Sequence, residues 1–180
     1  MRYQEALQYL GKVSDAYKNH LNVCMTHDPF SATRKSIKTK SDFKYDFARE
    51  MYSLEQGVEL TSEPNRKAML MVKYAIGIRN SFDLCWELTQ YYRGSVYCGQ
   101  VCEKRDWEND DNTKGAIAKV KDLIDGACNI VTDDEIGANI QYMLCNFRTV
   151  VRNYPNTEKA RLVRGRCDNL YDYHAELRQS

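Results

Sequence analysis

The segment from Ser62 to Tyr92 constrains the fold more than any other part of the chain. Ser62-Glu63-Pro64 puts a capping residue, an acid and a proline where a helix begins. Helical spacing then continues to Tyr92, which predicts a rod of about 42 Å if it is unbroken. Met71, Ala75, Ile78, Phe82, Cys85 and Tyr92 recur at near-heptad spacing, with Lys73, Asn80, Asp83, Glu87 and Gln90 on the polar side. Val72, Ile76, Trp86 and Leu88 widen the apolar arc well beyond one seam. A helix apolar on several sides has to be packed on both flanks, so this segment predicts a central helix. Gly77 and the Asn80-Ser81 pair are the positions where it would bend or break.

The remaining elements are read around that rod. Ala6, Leu7, Leu10, Val13, Tyr17 and Leu21 alternate at three- and four-residue spacing and predict a first helix over residues 3–24. Pro29 disfavours helical geometry in Asp28 and ends it. Residues 31–41 read as a loop carrying Arg34, Lys35, Lys38 and Lys40. Ser41 or Asp42 then caps a second helix, whose stripe of Phe43, Phe47, Met51 and Leu54 leads to Gly57. Arg93-Gly94 stops the central helix, and residues 95–113 read as irregular and acidic. A helix over residues 114–130 turns Ile117, Val120, Leu123, Ile124 and Cys128 inward. Thr132 and Glu135 have capping-box spacing and open a helix that runs to Tyr154-Pro155. Thr157 caps a last helix over residues 158–178, with Leu162, Val163, Cys167, Leu170 and Tyr171 available for packing. The expected architecture is all-α, an array of antiparallel helical hairpins with six to seven helices. It forms one domain over residues 1–180, weakly subdivided near residues 93–113. Val96-Tyr97-Cys98 is extended in character but has no obvious partner strand.

Composition narrows the function classes. Nine Gly and three Pro are too few for a turn-rich all-β domain or a disordered chain. A net charge of +1 offers no global attraction to nucleic acid. No apolar run reaches the roughly 18 residues of a membrane span, so no membrane insertion is expected. Seven cysteines are scattered without a C-x2-C pair, whereas a disulfide-stapled domain would be shorter and richer in loops. Cys85 lies between Phe82 and Leu88, and Cys145 between Leu144 and Phe147, positions that predict buried, reduced core residues.

Signals for chemistry are sparse. Cys24-x2-His27 and Cys98-x3-Cys102 are the only dense metal-like spacings, and zinc needs about four ligands in a tetrahedron. The two pairs are far apart in the chain, so neither a metal nor a cofactor is expected. Cys98 and Cys102 are also close enough for a disulfide in an oxidising compartment, although two free thiols rank above it. A cysteine nucleophile needs a basic partner, and His20, His27 and His174 stand near opposite ends of the chain. There is no Gly-rich phosphate loop, G-x-S-x-G or H-E-x-x-H. The chain is therefore not expected to be an enzyme.

Two features point to recognition. Trp86, Tyr91, Tyr92, Arg93 and Tyr97 cluster around the end of the central helix, and aromatics beside an arginine dominate binding hot spots. The alternative, commoner in a chain with 13 tyrosines, is that they cap the core. The basic stretch Arg34 to Lys44 faces an acidic stretch, Glu103 to Asp111, in charge. The two dock on each other, bind partners of opposite charge, or stay solvated, which is the commonest state.

Tyr3, Ala6, Leu10, Val13 and Tyr17 share their spacing with Ile140, Met143, Phe147, Val150 and Tyr154. The second set runs into Tyr154-Pro155-Asn156-Thr157, then Ala160 and Gly165. The spacing resembles the second helix of a tetratricopeptide-like hairpin, and the junction resembles the proline-ended link between such hairpins in bacterial envelope proteins. The middle segment over residues 73–92 is also similar to helical regions of uncharacterised proteins of that kind. The resemblance covers the two ends of the chain, and the middle has no matching period. It implies a right-handed superhelix or irregular bundle, cut from a longer chain whose first hairpin partner precedes Met1. It further implies a periplasmic or outer-membrane-associated parent and a non-enzymatic scaffold that binds a protein or peptide. A metal-binding or enzymatic helical domain using the Cys and His set is the alternative.

Overall fold

The computed structural model of the chain describes residues 2–14, 16, 23–25, 28–31, 43–82, 86–88 and 111–164. Among these, seven helices and one pair of three-residue strands make up the regular structure. The helices are α1 (Tyr3–Leu10), α2 (Phe43–Leu60), α3 (Pro64–Phe82), α4 (Asp111–Ile130), α5 (Asp134–Met143), α6 (Phe147–Asn153) and α7 (Glu158–Arg164). The strands are β1 (Val23–Met25) and β2 (Trp86–Leu88), which pair antiparallel. The all-α class expected from the sequence is the class observed, with this ribbon as a small exception.

The central helix α3 begins at Pro64, and Glu63 supplies its cap. The Glu63 carboxylate accepts from the Asn65 N–H at 2.9 Å and from the Arg66 N–H. These are two of the donors that a helix start leaves without internal partners. Burial on two faces follows as predicted. Tyr74, Ala75 and Ile78 join Met51, Leu54, Ala116 and Leu123 in one cluster, while Ala68, Val72 and Ile76 join Ala127 and Ile140 in another.

The partner helices run antiparallel to α3. Along α2, Gly57 meets Leu70, Glu55 meets Tyr74 and Met51 meets Gly77. Along α4, Thr132 just beyond its end meets Asn65, Gly126 meets Met71 and Lys119 meets Tyr74. The helix continues unbroken through Gly77. A Cβ there would stand 2.6 Å from Met51 Sδ and 2.9 Å from a Phe30 ring carbon, so glycine is what permits the close approach. Helices α5, α6 and α7 form a second group around Ala138, Val150, Ala160 and Val163, and α5 also touches α3. The hub of the described fold is therefore α3, touched by α2, α4 and α5.

Several expectations are corrected. The central helix stops at Phe82, and Trp86–Leu88 is a strand instead of its last turns. The first helix stops at Leu10, with Gly11 and Lys12 turning and Val23–Met25 extended. Short apolar runs such as Val-Cys-Met and Trp-Glu-Leu fit either period, and pairing with each other decides them. Helix α4 starts at Asp111, within the segment expected to be irregular; Leu123, Val120 and Ile124 face the core as expected, and Ile117 and Cys128 do not. Ala116, Leu123 and Ala127 are buried, whereas Ile117 is 63% exposed and Cys128 is exposed. Close crossing of α3 over α4 selects the small residues Ala127 and Ala68, an outcome that hydrophobicity alone does not rank.

The capping box at Thr132 is replaced by an aspartate cap. Asp133 Oδ1 accepts from the Ile136 N–H at 2.9 Å, while Thr132 donates its N–H and hydroxyl to Asn65 Oδ1. Glu135 instead accepts from the Glu158 N–H at the start of α7. The expected long helix to Tyr154 is two helices, broken over residues 144–146 with Cys145 at φ 59°. Thr157 does cap α7: its hydroxyl accepts from the Ala160 N–H at 3.2 Å and donates to the Tyr154 carbonyl. Leu162, expected to pack, is exposed, and Val163 is buried.

Candidate functional site

The end of α3 positions the first of the recognition residues. Two residues before the helix stops, the Asn80 side-chain amide donates to the Pro29 and Ser31 carbonyls, each at 2.9 Å. Asp28 Oδ1 tightens the same turn by accepting from the Phe30 N–H, and the Phe30 ring stacks on Phe47 with centroids 5.7 Å apart. Lys73 Nζ also lies over the Phe30 ring, 5.2 Å from its centroid, and bonds Glu50. This clasp fixes where the chain enters from β1 and leaves toward β2. β1 precedes the clasp in the chain and β2 follows the helix end, and they pair with the register Met25 with Trp86, Cys24 with Glu87 and Val23 with Leu88. By strand alternation, positions 23, 25, 86 and 88 share one face of the ribbon and positions 24 and 87 the other.

Of the five predicted contact residues, Trp86 thus lies on β2 opposite Met25. Tyr91, Tyr92, Arg93 and Tyr97 lie outside the described residues. So do Arg34 to Lys40, Glu103 to Asp110, and His20, His27, His174, Cys98 and Cys102.

A second location is helix α1, with a polar cluster beneath it that no sequence spacing reveals. Helix α1 lies on α2 and has no buried residue: Tyr3, Ala6, Leu7, Leu10 and, just past its end, Val13 are all half-buried. Tyr9 on the same helix is 70% exposed. What fastens α1 is a polar cluster to which α1, α2, α3 and α4 each give one residue. The Tyr3 ring meets the Tyr74 ring edge-on, 6.3 Å between centroids. Tyr74 Oη donates to Glu55 Oε1 at 2.7 Å, and Lys119 Nζ donates to the same oxygen at 3.1 Å. The ammonium also stands 4.9 Å from the centre of the Tyr74 ring.

The electrostatics of the cluster are mutually consistent. Burial, the hydrogen bond to Glu55 and the proximity of Tyr3 push the Tyr74 phenol well above the ordinary tyrosine range. Burial and the Glu55 charge raise Tyr3 likewise, against a hydrogen bond with Tyr74 that lowers it. Burial alone would raise Glu55, but the Tyr74 and Lys119 hydrogen bonds and the Lys119 charge outweigh it and hold the carboxyl below its usual range. The proton therefore stays on the phenol and off the carboxylate at neutral pH. Such an arrangement ties four helices together around one carboxylate oxygen.

The two cysteines whose burial is described differ from the expectation. Cys128 and Cys145 are both exposed and not disulfide-bonded. The Gln141 side-chain amide donates to Cys128 Sγ at 3.3 Å, and Asn146 donates in turn to Gln141. Cys24 lies on β1 opposite Glu87. Among the described residues, no group of three His, Cys, Asp or Glu is placed to hold a metal ion. No helix among them is long and apolar enough to cross a membrane. Comparison with family models, curated proteins and solved structures finds no match to this chain.

Proposed function

We propose that the chain is a non-enzymatic interaction module that binds a protein or peptide. The observation that supports this reading is α1, an amphipathic helix fastened at Tyr3 and left half-covered along Ala6, Leu7, Leu10 and Val13. An apolar strip of this kind is the surface on which a second amphipathic element packs. The aromatic set of Trp86, Tyr91, Tyr92, Arg93 and Tyr97 is the second proposed contact region, by residue type. The tetratricopeptide-like spacing at the two ends extends the reading to a scaffold within a larger bacterial envelope-associated protein.

The test compares affinity capture by the wild-type chain with capture by Leu10→Asp, using Leu162→Asp as a control at an exposed leucine on α7. Leu10→Asp should lose a partner that Leu162→Asp retains, with helical circular dichroism unchanged in both. If both variants capture what the wild type captures, the strip is not a contact surface. A stoichiometric metal in the purified protein by elemental analysis would overturn the non-enzymatic reading in favour of a Cys/His metal domain.

A further inference from the structure

We draw no further inference here: the strongest candidate, the ribbon face at the C-terminal end of α3 formed by positions 23, 25, 86 and 88, carries nothing because no observation shows what covers it.

Discussion

At the scale of single residues, the Glu55 carboxylate shows how much one half-buried acceptor organises. It receives the Tyr74 phenol and the Lys119 ammonium on the same oxygen, so each donor satisfies it and holds a different helix. Removing one donor takes a hydrogen bond from a half-buried carboxylate that joins α2 to α3. Tyr74→Phe should therefore destabilise the fold by about 1–3 kcal/mol, read as a lower urea midpoint. The pH dependence has a definite sign on each side. Glu55 has a depressed pKa, so its contribution is present above the ordinary glutamate value of about 4.3 and is lost as pH falls through the folded value. Tyr3 and Tyr74 have raised pKa values, so their contribution is present below the ordinary phenol value of about 10 and is lost as pH rises beyond it. Thermal melts from acid to alkaline pH should fall at both ends, and Tyr74→Phe should flatten the two flanks. A wild-type profile with flanks as flat as those of the variant would contradict this account.

At the scale of elements, the crossing of α3 and α4 rests on alanine. Ala127 is fully buried while its neighbour Cys128 is exposed. Ala127→Leu should cost about 1–3 kcal/mol by overpacking, and Cys128→Ser should stay within about 0.5 kcal/mol, both measured by chemical denaturation. A second prediction concerns the turn between α5 and α6. Cys145 occupies the left-handed region, which costs a residue with a Cβ about 1–2 kcal/mol. Cys145→Gly removes that strain and should raise the melting temperature, whereas Cys145→Val should lower it. The elements also show what the sequence could and could not reveal. The starts of α3 and α7 were legible because Pro64 and Thr157 act within one turn. The break at residues 144–146 was not, since Leu144-Cys145-Asn146 contains neither glycine nor proline and the apolar spacing runs straight across it. On α4, Val120, Leu123 and Ile124 were legible, but two positions were misread: periodicity favours Ile117 and Cys128 by hydrophobicity, and proximity to α3 favours Ala116 and Ala127 by size.

At the scale of the whole molecule, the described helices differ in how thoroughly they are held. Helix α3 is buried on two faces and packs against α2, α4 and α5, while α1 has no buried residue. Native-state hydrogen exchange should follow that order, with α3 amides approaching global protection and α1 amides exchanging through local opening. Equal protection of the two helices would show that α1 is held by more than the Tyr3 and α2 contacts. The four-helix polar cluster was invisible in the sequence for a reason of the same scale. Tyr3, Glu55, Tyr74 and Lys119 come from separate helices, and no local spacing links them before the chain has folded. Of the five proposed aromatic and arginine contacts, only the backbone position of Trp86 is fixed, because what was legible there was residue type and not geometry.

The Asn80 clasp also implies an order of assembly. It joins residues 51 and 49 positions apart, so the intervening chain, α2 included, has to be gathered before the two amide hydrogen bonds can form. Closing a loop of that size costs roughly 3–4 kcal/mol in chain entropy if nothing else has drawn the ends together. Two hydrogen bonds of about 1 kcal/mol each do not offset it. Docking of α2 on α3 shortens the effective loop first, and the clasp then closes cheaply. The ribbon beyond it is accordingly a late arrival in folding, the last stitch rather than the first, and its undoing leaves the α2–α3–α4 core standing.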